Sequence, residues 1–170
     1  KFTFNTNWIF GKPDIWSTVI PHIKDKPCHF CEIGSYEGRS TIWFIENFCQ
    51  TPGSSMTCVD IKMRPNLLKN LSNINTLKLE LNLINRGLDS NLEFKNKLTC
   101  CYIDGDHSYE GSLHDIETIW PNIENDGFVI FDDYDLVEIK DAVSKFMSSR
   151  TDAIMFKSNI NTCIIRKTNK

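Results

Sequence analysis

Tyr102-Ile103-Asp104-Gly105-Asp106-His107-Ser108-Tyr109-Glu110-Gly111 joins a short apolar run, residues 98–103, to a polar segment with acids, a histidine and two glycines. The run reads as a buried strand. No core needs Asp104, Asp106 and His107 bunched where a strand ends, because buried carboxylates are costly unless paired or bound to a metal. In open α/β sheets, that end of a strand is where ligands bind. A polar turn into a helix is the plain alternative, since Asp and Gly are turn residues anyway. Against it stands a second acidic strand end one βα unit later, Phe128-Val129-Ile130-Phe131-Asp132-Asp133.

Upstream, the same grammar repeats. Residues 28–33 form a first strand that runs into Gly34-Ser35-Tyr36-Glu37-Gly38, and residues 39–48 read as a helix with Ile42, Trp43, Ile45 and Phe48 inward. Glycines in such a turn allow close backbone approach, and the helix start offers free N–H groups. By itself a glycine-rich turn is a weak signal. Residues 56–59 are a second strand ending in Asp60, placed where a carboxylate commonly grips the hydroxyls of a nucleoside ribose. A short helix, residues 64–71, follows. Leu77, Leu79, Leu81 and Leu83 alternate with polar residues, which argues for a half-buried strand over residues 74–83. A helix is expected over residues 88–97.

Downstream, residues 111–120 read as a helix, 121–127 as a turn, 128–131 as the fifth strand and 136–147 as a helix. Residues 153–156 and 162–165 read as a closing hairpin, with a solvated basic tail after it. At the other end, residues 1–12 form a substrate-side lid or an ordered tail, and residues 13–24 a helix that Pro21 kinks or shortens. Strands alternating with helices indicate an α/β, Rossmann-like three-layer sandwich around a mostly parallel sheet. One domain is expected over residues 1–170, with residues 1–27 as an N-terminal extension and helix and 28–166 as the core; it stands alone or within a longer protein.

With 170 residues the chain has enough length for one full core. Its 41% hydrophobic and 24% charged content is that of an ordinary globular protein. A net charge of -3 argues against a nucleic-acid partner, which calls for a basic face. No apolar run approaches membrane-spanning length, so no membrane role is expected, and no signal-peptide pattern is seen. The 7 cysteines lie in strand-like or helical runs and read as small buried hydrophobes, which suits a reducing, cytoplasmic setting. Cys28 and Cys31 have CxxC spacing but lack the second pair that a zinc site needs.

Taken in order, Glu32 to Gly38, Asp60, Asp104 to Gly111 and Asp132-Asp133-Tyr134 resemble the class I S-adenosylmethionine-dependent methyltransferases. The likeness is strongest to the branch holding metal-dependent sugar and small-molecule O-methyltransferases of the macrolide-tailoring type. It implies a seven-stranded sheet whose last strand is antiparallel. It also implies that Gly34, Ser35, Tyr36 and Gly38 wrap the methionine part of S-adenosylmethionine, with Glu32, Asp104 and His107 nearby, and that Asp60 holds the ribose. Asp104, Asp132 and Asp133 match acids that bind magnesium, and His107 matches a catalytic histidine three residues after Asp104. The function implied is methyl transfer to a hydroxyl of a sugar or similar small molecule, aided by Mg2+.

That chemistry suits these residues. A protonated sugar hydroxyl is a poor nucleophile, and a metal lowers such a pKa by many units. Three carboxylates make a hard oxygen site for magnesium. His107 is a base of suitable strength. A metal-free variant, with His107 and Asp133 alone activating the hydroxyl, stays open. So do a catechol-like methyltransferase, an RNA methyltransferase without a basic groove, and a non-catalytic module. A dinucleotide oxidoreductase lacks support, because Gly-x-Gly-x-x-Gly is absent. Tyr36, Tyr109 and Tyr134 are candidate pocket walls. His22, His29 and His114 read as surface or packing residues. Acceptor recognition is expected from residues 1–12, from neighbouring domains or from a second copy of the chain.

Overall fold

Four runs of apolar residues become adjacent parallel strands because their side chains are covered on both faces, and a fifth, half-exposed strand pairs with them at the sheet edge. The computed structural model describes residues 1–74, 79–85 and 92–169. Strands β1 (His29–Ile33), β2 (Ser54–Asp60), β3 (Leu79–Asn85), β4 (Leu98–Ile103) and β5 (Ile123–Phe131) are joined by β6 (Ala153–Ser158) and β7 (Cys163–Lys167) in one sheet of order β3-β2-β1-β4-β5-β7-β6. β7 runs antiparallel to both β5 and β6, and the other pairings are parallel. This is the expected α/β three-layer sandwich with its antiparallel last strand.

Every residue of β4 is buried, with Cys100 and Tyr102 facing one layer and Leu98, Cys101 and Ile103 the other. Such near-continuous apolar runs mark strands shielded on both sides. The first layer holds Trp16, Phe44, Phe48, Leu67 and Leu71 from α1 (Pro13–Trp16), α3 (Arg39–Asn47) with its C-cap, and α4 (Pro65–Leu71). The second holds Ile116, Ile119, Ile139, Val143 and Phe146 from α5 (Tyr109–Ile119) and α6 (Val137–Ser148). Cys28 lies in the first layer and Cys31 in the second, so that CxxC pair faces apart. All seven cysteines are free and buried. No helix among the described residues is long and apolar enough to cross a membrane.

Several local expectations change. The single helix over residues 13–24 is instead α1, a 3-10 turn Ser17–Val19 and α2 (Ile20–Ile23). Pro21 lies in the first turn of α2, where its missing N–H breaks no bond. The expected turn over 121–127 is largely strand, since β5 starts at Ile123. A bulge absorbs the polar residues there: register jumps from Leu98↔Ile123 to Cys100↔Phe128, and Asp126 takes a φ of 64°. Of the expected helix over 88–97, residues 88–91 lie outside the described residues, and 92–97 are not helical. Leu92 and Phe94 both pack on the second layer, and their i, i+2 spacing belongs to extended chain. Leu77 also lies outside the described residues. Of its partners, Leu79 is buried, Leu81 half-buried and Leu83 exposed, as befits an edge strand.

Candidate active site

The carboxyl ends of β2, β1, β4 and β5 form a row because the backbone ladder continues one residue past the strands. Gly34 N donates to Val59 O (2.8 Å), Asp104 N to Ile33 O (2.8 Å) and Asp132 N to Ile103 O (3.0 Å). The glycine turn, Asp104 and Asp132 are thereby levelled against one another, beside a cleft of about 1020 Å³ that also takes in Tyr36, Asp60, His107 and Asp133.

Gly34 has a φ of +89°, and a Cβ there would lie 1.9 Å from the Asp104 carbonyl oxygen. Only glycine lets the turn press against the end of β4. The next residues are pinned by Asp60: its Oδ2 accepts from Tyr36 N (2.9 Å) and its Oδ1 from Lys62 N (2.9 Å). Gly38, at φ +80°, is the N-cap of α3. Ser35 is buried in the turn. Glu32 is fully buried and does not line the cleft. It takes the hydroxyls of Ser40 (2.5 Å) and Thr41, fastening the turn to α3 from below. Burial pushes its carboxyl up to about 7, against the pull of those hydroxyls.

At the end of β4, Asp106 and Ser108 start α5. Asp106 Oδ1 accepts from Ser108 N, and Ser108, the N-cap, accepts from Gly111 N (3.0 Å). The helix thus begins before Gly111, two residues earlier than the apolar pattern suggests, and that turn aims His107 back over Asp104. Its Nε2 lies 3.3 Å from Asp104 Oδ1 and 3.6 Å from Asp133 Oδ2. The bond to Asp104, with the nearby acids, raises the His107 pKa. Burial pushes the Asp104 carboxyl up while His107 and Lys12 hold it down.

The adjacent acids after β5 diverge. Asp133 has a φ of 46°, a left-handed conformation that Asp tolerates better than most residues. Asp132 is 2% exposed, and its Oδ2 accepts from the Lys12 ammonium. Burial, with the like charge of Asp104, pushes Asp132 up to about 6 despite Lys12. Its Oδ1 is buried without a hydrogen-bond partner. Asp104, His107 and Asp133 bring one ligand atom each within 4.8 Å of one another. That grouping contains two of the three expected acids and adds His107, while Asp132 stands beside it on Lys12.

Residues 1–12, expected as a lid or tail, carry no residue-level signal in the sequence. The structure gives several of them definite places. Trp8 stacks on Tyr36 (centroids 4.8 Å), whose ring also meets the Arg64 guanidinium (4.2 Å). Asn5 donates to Glu37 through its backbone N (2.8 Å) and side-chain amide (2.6 Å). Lys12 reaches Asp132. Ile61, Arg64 and Asp115 also line the cleft unforeseen. Of the candidate tyrosines, Tyr36 lines it and Tyr109 and Tyr134 do not. His22 packs against Phe128 and Phe156, and His29 meets Ser55, as expected of packing residues.

A family model described as a methyltransferase domain matches residues 31–134, from within β1 to just beyond β5. The chain belongs to this methyltransferase family. The matched span of the methyltransferase holds all the expected site residues from Glu32 to Asp133, and leaves out Trp8 and Lys12. Its activity is S-adenosylmethionine-dependent methyl transfer. Among solved structures it is similar to the O-methyltransferase NovP, with TM-score 0.76 and 14% identity over 93% of this chain and 80% of that one. The O-methyltransferase TomG from Streptomyces achromogenes gives 0.68 and 12% over 91% and 80%. An rRNA methylase from Streptococcus thermophilus gives 0.68 and 15% over 98% and 100%. At these identities the likeness is one of fold. Among curated proteins none matches the chain.

Proposed function

We propose that this methyltransferase acts on a hydroxyl of a sugar or similar small polyol, with a divalent cation, Mg2+, held beside the reacting oxygen. The observation that carries this reading is the convergence of Asp104, His107 and Asp133 in the cleft that the Gly34 turn and Asp60 also border. The turn at Gly34, Ser35, Tyr36 and Gly38 would hold the methionine part of the donor, and Asp60 its ribose. Glu32 acts at one remove, by fixing the turn.

The residues fit a hard cation. Asp104 and Asp133 face each other, and the partnerless Oδ1 of buried Asp132 adds a third carboxylate. Oxygen donors of this kind suit magnesium. When bound, the metal lowers the pKa of a hydroxyl it holds, and the donor supplies the methyl group as an activated sulfonium.

The chain's own residues orient the acceptor and take the proton. His107 Nε2 is directed at carboxylate oxygens, so the neutral ring that donates there carries its lone pair at Nδ1. That nitrogen accepts the acceptor hydroxyl's proton as the oxygen takes the methyl. Asp104 and Asp133 then stabilise the imidazolium. Trp8 and Tyr36 wall the cleft with aromatic surface, which suits sugars and rings alike.

The test is calorimetry with S-adenosylhomocysteine, followed by a mass-spectrometric screen of sugars and catechols as methyl acceptors, each with Mg2+ or with a chelator. Methylation of a sugar that stops with chelator, and is lost in Asp132→Ala, is the expected result. Activity in Asp132→Ala that ignores the chelator removes the metal from the proposal. Methylation of vicinal phenols alone replaces the sugar with a catechol-like acceptor.

A further inference from the structure

The carboxylates read above as a cation site already hold a cation that belongs to the chain. Lys12 Nζ bonds Asp132 Oδ2 and lies 3.6 Å from Asp133 Oδ1, and its side chain is only 11% exposed. Lysines seldom bury their charge unless it is paired. Here it answers acids that would otherwise repel one another across a few ångströms.

A single ammonium does not complete the site. Asp132 Oδ1 stays buried without a partner, and His107 meets Asp104 and Asp133 from the other side. Two features fix where Lys12 stands. Its carbonyl caps α1, accepting from Ile15 N and Trp16 N, and Trp16 is wholly buried against Phe44 and Tyr102. Before it, Gly11 has a φ of +75° and open space around it, at the base of an arm whose Trp8 lies on Tyr36 of the glycine turn. The backbone of Lys12 therefore has a firm root, and the glycine before it leaves the chain room to turn.

We propose that Lys12 is a tethered competitor for the divalent cation: its ammonium neutralises Asp132 and Asp133 when no metal is present, and metal enters only as Lys12 swings out. This rests on the metal part of the function proposed above. The arm then links the two halves of the cleft, since Trp8 touches the donor side and Lys12 the acidic side.

The experiment measures Mn2+ binding by the loss of free-ion electron paramagnetic resonance signal, with S-adenosylhomocysteine saturating. Lys12→Met is expected to bind Mn2+ about tenfold more tightly than wild type, and Lys12→Arg close to wild type. Equal or weaker binding by Lys12→Met overturns the competition and leaves the metal site standing. Mn2+ bound by neither protein overturns both, while retained S-adenosylhomocysteine binding shows that the donor site is intact. The unaltered protein supplies a second measurement that does not depend on a variant folding. Amine acylation followed by peptide mass spectrometry is expected to label Lys12 slowly without metal and several-fold faster with Mn2+. A labelling rate that Mn2+ leaves unchanged also overturns the proposal.

Discussion

His107 is exposed enough to meet an acceptor and close enough to Asp104 to be oriented by it. Its pKa is raised, first by the Asp104 hydrogen bond, so the ring keeps its proton to higher pH than free histidine does. A base must lose that proton first. In the protein free of metal, the His107 titration, followed by the ring proton resonances, is therefore expected to have a midpoint above the ordinary 6.5. His107→Ala is expected to lower kcat by about 10²-fold or more, the usual worth of a positioned base. Affinity for S-adenosylhomocysteine, measured by calorimetry, should stay put, because the Gly34 turn does not depend on the ring. A variant that loses donor affinity in proportion to kcat would assign His107 to binding instead. The residue was legible because a histidine just after two acids at a strand end has no packing purpose. Lys12 was not: its partner Asp132 lies 120 residues away, and a lysine before a proline carries no local mark.

Among the elements, β1, β2, β4 and β5 could be read from sequence because burial on both faces writes apolar runs that end abruptly in acid or glycine. The closing hairpin was equally plain. What failed was local competition. Bulge residues 124–127 are polar enough to pass for a turn, yet ladder pairing on either side keeps them in β5. Ser108 starts α5 early because a capping hydroxyl outweighs the apolar periodicity. The β1–α3 turn offers a sharp test of how far the site depends on element geometry. In Gly34→Ala the new methyl overlaps the Asp104 carbonyl, and the left-handed φ adds about 1–2 kcal/mol. The turn must pull away from β4, so S-adenosylhomocysteine affinity is expected to fall by more than about tenfold. Gly53→Ala is the control. Its φ of +90° carries the same conformational cost, but its Cβ meets only Pro27 at 3.6 Å, remote from the cleft. It should lower the melting temperature without changing donor affinity. Equal affinity losses in both variants would mean that general destabilisation explains the effect.

At the scale of the whole molecule, the acids bordering and bracing the cleft set how stability responds to pH. Burial raises Glu32 to about 7 from 4.5, and Asp115 and Asp132 to about 6 from 3.8. On raising pH, the unfolded chain loses these protons first, so the folded form binds more of them between the two sets of values. Stability must then fall as pH rises through that window. For Glu32 alone the difference amounts to about 3 kcal/mol. His107 acts in the same sense, its contribution disappearing as pH passes its raised value. Asp152 works the other way. Its bond to Arg150 lowers it to about 2 from 3.8, so that contribution is complete above the ordinary value and vanishes only in stronger acid. Together these place the stability maximum of the protein, free of donor and metal, near pH ~4, with stability already declining by pH 5. Urea denaturation should give a higher midpoint at pH 5 than at pH 7.5. Glu32→Gln, which has no proton to lose there, should flatten the decline. A midpoint that rises across the same interval would show that the buried carboxyls are ionised at little cost, and that the cleft is better solvated than its packing implies.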